Sequence, residues 1–86
     1  MNYDSETQMY PDVSLWLKSL LSIKAPDVLV EVRDTHNSPL NEYITRHGLQ
    51  EFFSSSLWQT YDINVDITAF IKSPKQQGLV FVGVNP

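Results

Sequence analysis

Three observations predict an α/β-type (α+β) fold in which two helices flank a small mixed three-stranded sheet. Thr60 to Ile71 (TYDINVDITAFI) alternates apolar and polar residues over a long run, the period-two signal of a strand with one buried face. A polar connection, Ser73-Pro74-Lys75-Gln76-Gln77, separates this run from a second one, Gly78 to Asn85 (GLVFVGVN), so the two pair as a C-terminal antiparallel hairpin. Upstream, two stretches with apolar residues at helical spacing bracket a third apolar run, Val28 to Asp34.

The chain has 86 residues, the size of one domain, and 42% of them are hydrophobic, enough for one core and too many for a disordered segment. A domain this small buries only about 60% of its unfolded surface. There is no cysteine, hence no disulfide framework and no thiolate metal site. The N-terminus MNYDSETQ lacks the basic and apolar parts of a signal peptide. No apolar run approaches the roughly 20 residues of a membrane span. A cytoplasmic protein without a membrane partner is expected. The net charge is −4, and the basic residues are scattered rather than gathered in a stripe. Phosphate neutralisation drives nucleic-acid affinity, so the charge does not support a nucleic-acid partner.

Residues 1–9 are polar and aperiodic, and read as a loose tail. Tyr10-Pro11-Asp12 then opens the first helix, since proline is tolerated in a first turn and aspartate caps well. Val13, Trp16, Leu17, Leu20, Leu21 and Ile23 make its apolar stripe, widened by Leu15, over about three turns. Ala25-Pro26-Asp27 stops it. In the strand 28–34, Val28, Val30 and Val32 share one face, and Leu29, Glu31 and Arg33 the other. Ser38-Pro39 starts the second helix, with the serine as cap. Leu40, Tyr43, Ile44 and His47 form its stripe, and Gly48 is the left-handed residue beyond its end. Leu49 to Trp58 is too apolar for a free loop and predicts an irregular or short helical segment packed on the sheet. The long strand 60–71 lines up Asp62, Asn64, Asp66 and Thr68 on its polar face. Phe70 also falls on that side, which marks packing under a helix or at an interface.

The last strand, 78–85, is apolar on both faces, the pattern of a strand covered on both sides. An exposed edge of this kind invites another chain. A homo-oligomer is expected, most simply a dimer, through the C-terminal strand (Leu79, Phe81, Val82, Val84) or the aromatic segment. The alternative is that the first helix covers the strand.

For chemistry, two placements of one pattern compete, an acidic residue on one strand and an acid-X-lysine run on its neighbour: Pro11-Asp12 with Glu31-Val32-Arg33, and Asp66 with Gly83-Val84-Asn85. The first puts Asp12 in a helix and an arginine, which stays protonated, where a tunable lysine is wanted. The second fits the hairpin. The stretches MYPDVSLWL, VEVRDTH, LNEYITRHGL, TYDINVDITAFI and LVFVGVNP, spanning about 9–86, resemble a group of small archaeal proteins of the restriction-endonuclease-like PD-(D/E)XK superfamily. That resemblance implies a mixed sheet flanked by helices. It also implies an active site in which two carboxylates and a carbonyl hold Mg²⁺ while a lysine orients the attacking water. By it, Asp66 corresponds to the metal-binding aspartate. The acid-X-lysine positions, however, hold Gly83, Val84 and Asn85, which offer neither carboxylate nor cation. The family's fold also continues with a further helix and strand. The resemblance therefore implies a catalytically degenerate, C-terminally truncated nuclease-like domain with a binding or assembly role. The alternatives are an active Mg²⁺-dependent nuclease completed by Glu31 or by a partner chain, and a protein-interaction module with no nucleic-acid role.

The remaining candidates are slighter. His36 and His47 have only Asp34 near them as a third ligand, and suit capping or surface positions. The Asp62/Asn64/Asp66 row is either a divalent-cation surface or a solvated sheet face. Ser54, Ser55 and Ser56 belong to no nucleophile elbow. Three glycines are too few and wrongly placed for a phosphate loop. Trp16, Trp58, Phe52 and Phe53 are better suited to core packing than to base stacking.

Overall fold

Antiparallel pairing organises the chain. The computed structural model describes residues 6–84. In chain order these form α1 (Glu6–Lys24), β1 (Leu29–Asp34), α2 (Leu40–Arg46), two 3-10 turns (Leu49–Phe52 and Ser56–Thr60), β2 (Ile67–Lys72) and β3 (Gln77–Val82). The two helices, the three-stranded sheet and the C-terminal hairpin are those the sequence predicts. The sheet order is β1-β2-β3, and both pairs are antiparallel rather than mixed. The connection between β1 and β2 explains this: it leaves after Asp34 and returns at Ile67, directly opposite Asp34 in the register. A parallel pair would need a crossover to the far end of the sheet.

β2 is the centre, and both of its faces are buried. Ile67 and Ala69 join Tyr10, Leu17 and Val84 in one apolar cluster, with Val32, Val80 and Val82 packed around it under α1. Phe70 joins Leu40, Ile44, Leu49 and Phe52 in a second cluster under α2 and the 3-10 turns. Thus Phe70, on the side that alternation makes polar, is fully buried in a core.

Four elements depart from expectation. The long strand begins only at Ile67. Residues 61–66 belong to no strand and open on a tight turn, the Asp62 N–H donating to the Thr60 carbonyl at 2.9 Å; the carbonyls of Tyr61 and Ile63 accept from the backbone N–H groups of Asn41 (3.0 Å) and Leu40 (2.7 Å). Those are the orphan donors of a helix start, so the same two contacts displace the expected serine cap. Pro39 is the N-cap residue, with no side-chain cap bond. Ser38 Oγ is the one buried side-chain polar atom without a partner among the described residues.

The first helix runs from Glu6, so residues 6–9 of the expected tail are helical; residues 1–5 lie outside the described ones. Pro11 falls within its first two turns with its ring exposed. Its buried seam is also narrower than the sequence stripe: Tyr10, Val13, Leu17 and Leu21 face the sheet, whereas Leu15, Trp16 and Ile23 are 67%, 60% and 77% exposed. β3 ends at Val82, ahead of the expected limit at Asn85, which lies outside the described residues.

Gly48 behaves as expected, with φ 66° and ψ 35° just past α2. The segment after it forms the two 3-10 turns, with Leu49 and Phe52 buried. Among the described residues no helix is long and apolar enough to cross a membrane.

Candidate functional site

Polar side chains from four parts of the chain meet at the end of the sheet where β1 stops and β2 starts. Asp66 is the hub. Tyr10 Oη, from α1, donates to Asp66 Oδ1 at 3.0 Å. The backbone N–H of Val84, just past β3, donates to Asp66 Oδ2 at 2.9 Å. The Asp66 carbonyl accepts from the Thr35 N–H at 3.1 Å. The part-buried carboxylate therefore fastens the first helix and the end of the last strand to the centre of the sheet. Charge-assisted bonds of this kind are shorter and stronger than neutral ones.

Beneath it lies a second polar contact, fully buried. Thr35 Oγ1 donates to the Val65 carbonyl at 2.6 Å and lies 2.9 Å from Thr68 Oγ1. A hydroxyl has one hydrogen, so Thr68 is the donor in the second bond. Beside it, His36 Nδ1 pairs with Asp34 Oδ1 across the turn after β1. The His36 ring sits edge-on to Tyr10, with centroids 4.9 Å apart. Asn64 Nδ2 donates to the His36 carbonyl at 3.3 Å.

This end holds Asp66, Asp34 and His36 but does not bring in the other expected ligands. Glu31 lies opposite Phe70 in the register, and Asp66 is four residues before Phe70. At the rise of a strand that is a separation of ~13 Å. Glu31 is also occupied by Arg33, at 2.8 Å on the same face of β1. Gly83 is exposed, and a Cβ placed there would touch nothing within 4 Å; its missing carboxylate is a matter of sequence, not of space. Asn85 lies outside the described residues. Asp12 is helical and exposed. Asp62 is exposed on the segment that caps α2, so the acidic row does not form a strand face. Among the described residues no group of three or more His, Asp or Glu side chains is placed to hold a metal ion. Each Asp66 carboxylate oxygen accepts one hydrogen bond from the fold, Oδ1 from Tyr10 and Oδ2 from Val84.

His47 is exposed at the end of α2, stacked on Tyr43 with centroids 4.2 Å apart. A cleft of about 450 Å³ between α2 and Trp58 contains one acid and one base, Glu42 and Arg46. They lie 4.0 Å apart across one helical turn on an exposed face, and the hydroxyl of Thr45 in the same cleft donates to the Asn41 carbonyl.

A second cleft, about 370 Å³, runs beside β3 and is lined by Phe53, Leu57, Tyr61, Gly78, Leu79 and Phe81, among others. Of the four apolar residues expected at an interface, Val84 is buried under α1, Leu79 and Val82 are half-buried, and Phe81 is 47% exposed. Both helices thus cover part of the apolar strand, and Phe81 is what they leave.

Sequence reasoning picks out Asp66 but not its partners Tyr10 and Thr35. The tyrosine is 56 positions away, and no local pattern signals such a bond.

No protein-family model matches the chain, and no significant match was found among curated proteins or solved structures.

Proposed function

We propose that the chain is a non-catalytic domain of PD-(D/E)XK-like descent that acts by binding and assembly, most simply as a cytoplasmic homodimer through its C-terminal strand. One observation carries this reading. The aspartate that the resemblance makes a metal ligand spends both carboxylate oxygens on hydrogen bonds that hold the fold together. A Mg²⁺ site needs several oxygen ligands, and neither Glu31 nor Gly83 adds one. The lysine that would orient water has no counterpart at Asn85. Losing a carboxylate and a lysine removes several kcal/mol of transition-state stabilisation.

An interaction module without nuclease descent shares the same binding edge, and the net charge of −4 favours it over nucleic-acid binding. The cysteine-free sequence suits a reducing compartment.

The deciding assay incubates the protein with single- and double-stranded DNA and RNA in Mg²⁺ or Mn²⁺, beside Asp66→Asn, which keeps an acceptor for Val84. The expected result is no cleavage by either protein. Metal-dependent cleavage lost in Asp66→Asn would overturn the reading. Salt-sensitive DNA or RNA binding without cleavage would remove the interaction-module version and keep the nuclease-like one.

A further inference from the structure

The two outer strands of the sheet are defended differently. β1 carries Glu31, Arg33 and Asp34. β3, Gln77–Val82, has no charge, no proline and no bulge in its register, which are the usual protections of an edge. Its backbone polarity can be read from the hairpin. Ser73 N–H donates to the Gln76 carbonyl at 2.7 Å, one step outside the Lys72–Gln77 pair. Hydrogen-bonded and non-hydrogen-bonded pairs alternate along an antiparallel ladder. The N–H and C=O groups of Gly78, Val80 and Val82 therefore turn toward β2, and those of Gln77, Leu79 and Phe81 turn outward. The cleft beside Leu79 and Phe81, which Ser54, Ser55 and Gln77 also line, lies along the same edge. Leu57, on its rim, is 61% exposed.

We propose that the β3 edge is completed by β3 of a second copy of this chain. The strands run antiparallel about a two-fold axis at Val80 and form a six-stranded sheet. This rests on the binding-and-assembly reading above and names its partner.

Three features select the occupant and its register. A ladder bond needs outward-facing residues on both strands, and pairing Leu79 with the partner's Phe81 satisfies that twice by symmetry. Residues directly opposite each other share a face, so each Phe81 ring comes over the other copy's Leu79 and its cleft, where the exposed apolar area is. Charge favours one direction. Lys72 and Lys75 stand at the hairpin end of the sheet, and Asp34 and Asp66 at the opposite end. Antiparallel order sets the lysine end of one copy beside the aspartate end of the other, whereas parallel order would align like charges.

The chain lacks cysteine, so single cysteines report the interface cleanly. In the proposed register Val80 faces the partner's Val80 as a non-hydrogen-bonded pair, with Cα atoms ~4.5 Å apart, within disulfide reach. Val80→Cys, Leu79→Cys and Trp16→Cys would be oxidised with diamide, and the wild type and Phe81→Glu would be compared by sedimentation and circular dichroism. We expect a wild-type dimer and rapid cross-linking through Val80→Cys alone. We also expect a folded Phe81→Glu variant whose association is weakened roughly 30-fold or more, the loss of an interface hot spot. A monomeric wild type, a dimer indifferent to Phe81→Glu, or cross-linking through Trp16→Cys in place of Val80→Cys would overturn the proposal. Cross-linking through Leu79→Cys instead would overturn the register. The non-catalytic reading fails separately, in the cleavage assay, whichever way sedimentation falls.

Discussion

The sheet is sealed on its two faces by different means. Under α2 the seal is apolar and drawn from a short span. Leu40, Ile44 and Phe70 are fully buried, and Phe70 meets Phe52 and Phe53 with ring centroids 5.8 and 6.4 Å away. Under α1 the cluster draws residues from Tyr10 to Val84 and is tied by a carboxylate. The start of α2 is held by backbone bonds from Leu40 and Asn41 to the carbonyls of Ile63 and Tyr61. α1 is held near its start by a side-chain bond, from Tyr10 to Asp66, beside its apolar seam. The comparison makes Asp66 the side-chain fastener of α1, where the fastener of α2 is backbone.

Phe70→Ala should do the most damage, because it opens a cavity at the centre of the α2 face. A loss of about 3–5 kcal/mol is expected in urea unfolding. Leu17→Ala empties the α1 seam beside more exposed neighbours and should cost about 2–3 kcal/mol, the low end of the range for such truncations. If the two losses proved equal, the contrast between the faces would fail.

Tyr10→Phe keeps the ring and removes one bond to Asp66, at a cost of about 1 kcal/mol. Its effect should shrink when Asp66→Asn is already present, a coupling that a double-mutant cycle measures. Strict additivity would mean that the bond does not tie the helix down. Ser38→Ala should be the smallest change and of opposite sign. It deletes a buried hydroxyl with no partner, so the midpoint should stay within about 0.5 kcal/mol of wild type or rise.

Much of the fold is legible in the sequence because it is written in local period. The helix over Leu40–Arg46, Gly48 beyond it, the strand at Val30 and Val32, and the final hairpin all follow from spacing. The stretch 60–66 shows the limit of that reasoning. Alternation at Tyr61, Ile63 and Val65 predicts a strand, and the strand begins only at Ile67. Period does not say which donors the carbonyls will meet, and here they meet the start of α2. The width of the α1 stripe misleads for a related reason. Trp16 and Ile23 have the right spacing, but a three-stranded sheet offers only enough surface for the seam through Tyr10 and Leu17. At the site, Asp66 is legible as a polar residue of the strand, though it precedes the strand's first residue, Ile67, instead of lying in its middle. Its bonds to Tyr10 and Val84 depend on tertiary proximity and leave no mark in any window of sequence.

The Asp66 contacts also make the two ends of the described chain answer to one side chain. Tyr10 and Val84 lie 74 positions apart (84 − 10) and bond the two oxygens of the same carboxylate. The entropy of closing so long a loop grows only as the logarithm of its length. A cut near either end therefore reaches the same residue at the centre of the sheet.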